Sequence, residues 1–233
     1  MNATIQRHEF ADKLTLADRL ARDVAAKLDA GIRARGKATL AVSGGSTPKT
    51  MFAVLAEQEI DWSKVTVTLV DERWVDTDSD RSNARLVAEH LLHHEARTAT
   101  FLPLFDGAHK DDVDAALADV GQRIDALGLP FDVVILGMGG DGHTASFFPG
   151  GDHLAEATDP NGTQTVLSMR AEGAGEPRIT LTLPKVLDTR ALFLHIEGAD
   201  KKDVLAKAEA GEDFPIRSVL THARVALDVY WAP

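Results

Sequence analysis

The chain has 233 residues, 44% hydrophobic and 26% charged, an ordinary globular composition that argues against disorder. It contains no cysteine, which excludes disulfides, thiolate metal sites and a cysteine nucleophile. The formal net charge of −11 argues against general nucleic-acid binding, and an anionic substrate would need a local cluster of cations and backbone N–H groups to overcome the repulsion.

The N-terminal MNATIQRHEFADKL lacks the apolar stretch of a secretory signal, and no apolar run reaches the roughly 18 residues of a membrane span. A cytoplasmic location without a membrane partner is expected. Leu16, Leu20, Val24, Leu28 and Ile32 recur every four residues, predicting a helix that Gly36 stops. Residues 38–42 read as a short buried strand, and a second helix follows Pro48 to about Glu59. Residues 65–70 are the next strand and 82–93 the next helix.

Val113, Ala116, Leu117, Val120, Ile124 and Leu127 mark another amphipathic helix, bounded by Gly128 and Pro130. Residues 131–136 (FDVVIL) read as a fully buried central strand. Further strands are expected at 165–169, 179–183, 191–196 and 224–230, with helices near 200–208 and 215–221. Residues 149–162 are rich in Gly, Pro, Asp and Asn and read as a surface loop. Alternating strands and helices predict an α/β fold, a mostly parallel sheet with helices on both faces. No linker divides the chain, so one domain over 1–233 is expected.

Three strand ends carry the chemistry. Ser43, Gly44, Gly45, Ser46 and Thr47 lie between a strand and a helix. The glycines let a ligand approach backbone N–H groups, Thr47 could cap the helix, and a helix N-terminus favours anions. Asp71, Glu72 and Arg73 follow the 65–70 strand, where α/β sheets bind ligands; a solvated loop with a local ion pair is the plainer reading.

The third segment is Gly137-Met138-Gly139-Gly140-Asp141-Gly142-His143-Thr144. It satisfies G-x-G-x-x-G, but Pro149, Gly150 and Gly151 stop any long helix, which argues against a dinucleotide site. Asp141 and His143, two residues apart, could face the same side, the carboxylate orienting the imidazole; a turn-capping Asp beside an incidental His remains the alternative. Arg178 and Lys201 stand near other strand ends. His90 and His94 could share a helix face, but no third ligand accompanies them, so no metal site is expected.

In this order the stretches VSGGSTPKTMF, DERWVDTDSDRSNARL, ILGMGGDGHTASFFPG and PRITLTLP, with the 198–201 segment, resemble the glucosamine-6-phosphate deaminase/6-phosphogluconolactonase family, on its lactonase side. The resemblance implies a modified Rossmann-like sheet shared with glucosamine-6-phosphate deaminase and ribose-5-phosphate isomerase. It implies hydrolysis of 6-phospho-D-glucono-1,5-lactone to 6-phospho-D-gluconate in the oxidative pentose phosphate pathway, without a cofactor. By the same resemblance His143 is the catalytic histidine. Asp141, Arg73 and the 43–47 loop match active-site positions, and Arg178 and Lys201 match basic residues around the phosphate. Asp71 and Glu72 are expected to bind substrate. The expected partner is a small phosphorylated sugar lactone, bound by a monomer or small homo-oligomer. Two rivals are a deaminase or isomerase of the same fold, with Asp71 or Glu72 as base, and a non-catalytic sugar-phosphate sensor.

Overall fold

In the computed structural model, which describes residues 4–105 and 107–233, the chain opens with β1 (Ile5–Glu9), α1 (Lys13–Arg35), β2 (Ala38–Val42) and α2 (Lys49–Ala56). It continues with β3 (Val65–Leu69), β4 (Asp71–Arg73), α3 (Asn83–His90), β5 (Thr100–Leu102) and α4 (Val113–Asp125). Then come β6 (Val133–Leu136), α5 (Leu154–Ala157), β7 (Val166–Met169), β8 (Arg178–Leu181) and α6 (Leu183–Leu187). The last elements are β9 (Leu192–Glu197), α7 (Ala199–Glu209), α8 (Ile216–His222) and β10 (Leu227–Ala232).

Seven strands form one sheet in the order β1-β10-β9-β6-β2-β3-β5, and every neighbouring pair is parallel. Every residue of β2 and β6 is buried, so both faces of the sheet's centre are covered. From β2 the chain proceeds outward through β3 to β5, and from β6 it proceeds the other way through β9 to β10. The order therefore reverses between β2 and β6. A crevice opens beyond the carboxyl ends of the strands at such a reversal.

α1 carries the expected stripe: Leu16, Leu20, Val24 and Leu28 are fully buried. Burial of each such side chain stabilises the fold by ~1.5–3 kcal/mol. Asp12 caps the helix by accepting the Thr15 N–H at 2.8 Å, and Gly36 ends it with a left-handed φ of 78°.

Several expectations are revised. α2 ends at Ala56 rather than near Glu59, and α3 at His90 rather than His93. His94 has φ 47° and lies beyond α3, so His90 and His94 do not share a helix face. Residues 71–73 form β4, not a loop, and join an antiparallel sheet of order β4-β8-β7. This second sheet is fastened to the first through Val70, whose N–H donates to Val42 and whose carbonyl accepts from Leu181. The 149–162 stretch contains the one-turn helix α5, and α6 begins where strand was expected to continue.

Candidate active site

The crevice at the strand-order reversal holds a cavity of about 220 Å³. Its walls come from the residues following β2 and β6, from β4 and β8, and from Lys201 on α7.

The residues after β2 form its floor. The Ser43 hydroxyl accepts the Gly137 N–H at 3.1 Å, tying this loop to the one after β6. Gly45 has a left-handed φ of 93°, and at Gly44 the Asn83 side chain occupies the place a Cβ would take. Pro48, not Thr47, is the N-cap of α2, and no side chain caps that end. Thr47 instead has its hydroxyl 3.5 Å from Lys201 Nζ. The first N–H groups of a helix have no intrahelical partner, so this end favours an anion.

β4 sorts its three charged residues by the two-residue alternation of a strand. Asp71 and Arg73 line the cavity, whereas Glu72 points the other way. Glu72 was expected to bind substrate, but its carboxylate accepts the N–H groups of Arg73, Asn83 and Ala84 at 2.7–2.8 Å and the Ser82 hydroxyl at 3.2 Å. It serves the N-terminus of α3. Burial pushes its carboxyl above the ordinary range against the pull of those N–H donors.

Arg73 stands beside Arg178 in the β4–β8 register. Arg73 Nη1 donates to the Arg81 carbonyl at 2.6 Å, and Arg178 Nη2 donates to the Ala174 carbonyl at 2.7 Å. The Nε of each is buried and finds no hydrogen-bond partner among the described residues. Burial lowers the Arg178 guanidinium from its usual range while Asp71, 3.8 Å away, opposes the shift. Asp71 itself accepts the Ser146 hydroxyl at 2.6 Å.

The turn after β6 presents the histidine. Gly139 N–H donates to the His143 carbonyl at 2.9 Å, and Gly142, with φ 75°, donates to Gly139 at 3.1 Å. The turn brings Asp141 Oδ1 to 2.5 Å from His143 Nδ1. The imidazole stacks on Phe148 with ring centres 4.3 Å apart, and the Arg178 guanidinium lies 5.1 Å from the centre of the same ring. His143 lines the cavity; Asp141 stands behind it.

A family model described as "Glucosamine-6-phosphate isomerases/6-phosphogluconolactonase" matches residues 11–231. The chain belongs to this family. Among family members, a Rhizobium meliloti protein named 6-phosphogluconolactonase is 56% identical over 97% of this chain and 98% of its own length. One of the same name from Mesorhizobium japonicum is 49% identical over 99% of this chain and 97% of its own. The crystal structure of a 6-phosphogluconolactonase from Shewanella baltica superposes with a TM-score of 0.93 at 38% identity, covering all of both chains.

Of the residues expected from sequence, this family member gathers the 43–47 loop, Asp71, Arg73, His143, Arg178 and Lys201 around one cavity, with Asp141 bonded to His143. Sequence reasoning passed over Asn83, Phe148 and His195. Asn83 and His195 line the cavity, and Phe148 lies beneath the His143 ring. Asn83 and Phe148 fall within motif stretches and could have been singled out there, whereas His195 sits in an apolar strand and gives no local signal. Among the described residues no group of three or more His, Asp or Glu is placed to hold a metal ion, and no helix is long and apolar enough to cross a membrane.

Proposed function

We propose that the chain hydrolyses 6-phospho-D-glucono-1,5-lactone, with His143 activating water and the cations of the same cavity binding the phosphorylated substrate. The observation that carries this reading is the Asp141–His143 pair opening onto a cavity that also holds Arg73, Arg178 and Lys201. Asp141 engages Nδ1, which leaves Nε2 as the nitrogen for a bound water. The water's oxygen forms a bond to lactone C1 while its proton passes to Nε2. Negative charge develops on the carbonyl oxygen, where Arg73 or the glycine N–H groups of the 137–142 turn stabilise it. The bond from C1 to the ring oxygen then breaks, and the imidazolium returns its proton to that oxygen. One water is consumed and no electrons change hands.

The 43–47 backbone, Arg178 and Lys201 hold the phosphate. That group is remote from the bond that breaks, so its binding energy serves positioning. The arrangement also answers the charge problem: a small cationic pocket serves an anionic ligand inside a chain of net charge −11.

The test is decay of freshly generated 6-phosphogluconolactone, with spontaneous hydrolysis subtracted, beside ammonia release from glucosamine 6-phosphate. Enzyme-dependent lactone decay without ammonia is expected. Ammonia release without lactone decay would replace this reading with the deaminase, and phosphosugar binding without any turnover with the sensor.

A further inference from the structure

The two halves of the candidate site belong to different sheets. His143 stands in the turn after β6 of the seven-stranded sheet, whereas Asp71, Arg73 and Arg178 lie on β4 and β8 of the three-stranded one. Both halves must be held at one spacing, because a small misplacement of a reacting group costs a large factor in rate. The Phe148 ring touches both. The His143 imidazole stacks on it with ring centres 4.3 Å and planes 28° apart, and the Arg178 guanidinium carbon lies 5.1 Å from its centre.

Phe148 is buried, and the segment that bears it is anchored to the second sheet. Its N–H donates to the Ser146 carbonyl at 3.1 Å, and its carbonyl accepts the Gly151 N–H at 3.0 Å. Ser146 donates its hydroxyl to Asp71 on β4 at 2.6 Å and its N–H to the Thr180 hydroxyl on β8 at 3.3 Å.

The His143 ring is otherwise held at one edge. Asp141 engages Nδ1, and a Cβ at Gly139 would lie 2.3 Å from Nδ1 and Cε1, so that edge packs directly on the glycine. Asp141 is exposed and, among the described residues, bonds only to His143. The torsion that turns a histidine ring has broad wells. A ring held at Cβ and Nδ1 still rocks about the line between them, and that motion displaces Nε2. Contact with the face of the ring stops it.

We propose that Phe148 is a positioning residue for the hydrolysis: its ring fixes the imidazole plane of His143, and with it Nε2, against the sheet that carries Arg178. This rests on the reading of His143 as the base. The competing account is a phenylalanine that only fills space beneath the turn. Without the ring, Arg178 keeps the Ala174 carbonyl at 2.7 Å and Asp71 at 3.8 Å, whereas His143 keeps its edge and loses its face. The loss therefore falls on kcat rather than on binding.

The test compares Phe148→Leu in the wild-type and His143→Ala backgrounds, by kcat, KM and calorimetric 6-phosphogluconate affinity. In the wild-type background kcat is expected to fall about tenfold, with KM and product affinity within about threefold. In the His143→Ala background the same substitution should change the residual kcat by less than about twofold, because no ring remains to be placed. Wild-type kcat in Phe148→Leu, product affinity that falls as far as kcat, or equal losses in both backgrounds overturns the proposal. If His143→Ala shows no turnover above the spontaneous rate, the split between kcat and affinity decides. If the leucine variant fails to fold, Phe148→Met, whose unbranched side chain adapts to the space, takes its place in the same comparisons. His143→Ala at wild-type kcat overturns the base role and this inference together. Phe148→Leu at wild-type kcat beside a disabled His143→Ala overturns this inference alone.

Discussion

Asp141 Oδ1 accepts twice from His143: from Nδ1 at 2.5 Å and from the backbone N–H at 3.2 Å. One oxygen thus fixes both the ring and the peptide that carries it. A neutral imidazole bonded through Nδ1–H has its lone pair on Nε2, and a carboxylate stabilises the imidazolium that forms when Nε2 takes a proton. Asp141→Asn is expected to lower kcat on the order of tenfold or more while product affinity holds. Steady-state kinetics with calorimetric binding of 6-phosphogluconate checks this; an unchanged kcat would remove Asp141 from the proton transfer.

Gly142 is held from outside the turn. Its φ is 75°, its carbonyl accepts the Ile216 N–H at 2.9 Å, and a Cβ there would meet the Phe214 ring at 2.6 Å. Gly142→Ala carries both backbone strain and a clash, and is expected to cost roughly 1–3 kcal/mol of stability with loss of kcat. Adding Phe214→Gly removes both the ring and the Phe214 Cβ, which would lie 2.7 Å from the new Cβ, and leaves the strain, so the double variant should recover part of the loss. Melting temperatures of the two single variants and the double variant measure this, and strict additivity would contradict the contact.

Glu72→Gln is expected to act on stability. Replacing a carboxylate that accepts three N–H groups and a hydroxyl costs about 1–3 kcal/mol. Burial raises the folded-state carboxyl above its ordinary 4.5, so the native state holds this proton more tightly than the unfolded chain. Its stabilising contribution is therefore fullest below that value and declines as pH rises through the raised one. The stability gap between wild type and the variant should narrow over that range. A widening gap would mean that the four donors outweigh burial.

Lys201 titrates below its ordinary range because burial penalises the ammonium, with Glu197 opposing. Phosphate affinity should then fall on the alkaline side before the usual lysine pKa of 10.5 is reached. Lys201→Arg moves that loss to higher pH, and Lys201→Ala raises KM more than it lowers kcat. A KM–pH profile checks both; a Lys201→Ala enzyme with wild-type KM contradicts the phosphate role.

The central strands were legible because parallel strands covered on both faces are continuous apolar runs, as in β2 and β6. The α1 stripe was legible through its four-residue period. The edges were not: β1 is IQRHE, half exposed and without alternation, and β5 has three residues. β4 hid for a related reason, since DER reads as a solvated loop until β8 pairs with it and buries Asp71 and Glu72. In the candidate site, glycines and charged clusters at strand ends marked the 43–47 and 137–144 loops. Which way each side chain turns depends on pairing with distant strands, so the departure of Glu72 toward α3 and the arrival of His195 at the cavity had no local signature.

The central claim is that His143 removes the proton from the attacking water. It is tested most directly by kcat for 6-phosphogluconolactone with wild type and His143→Ala, measured on fresh lactone with the spontaneous rate subtracted and 6-phosphogluconate binding as the folding control. The account predicts a loss of about 10²–10⁴ in kcat with product binding retained. A variant that binds product and turns over at near wild-type kcat would contradict it.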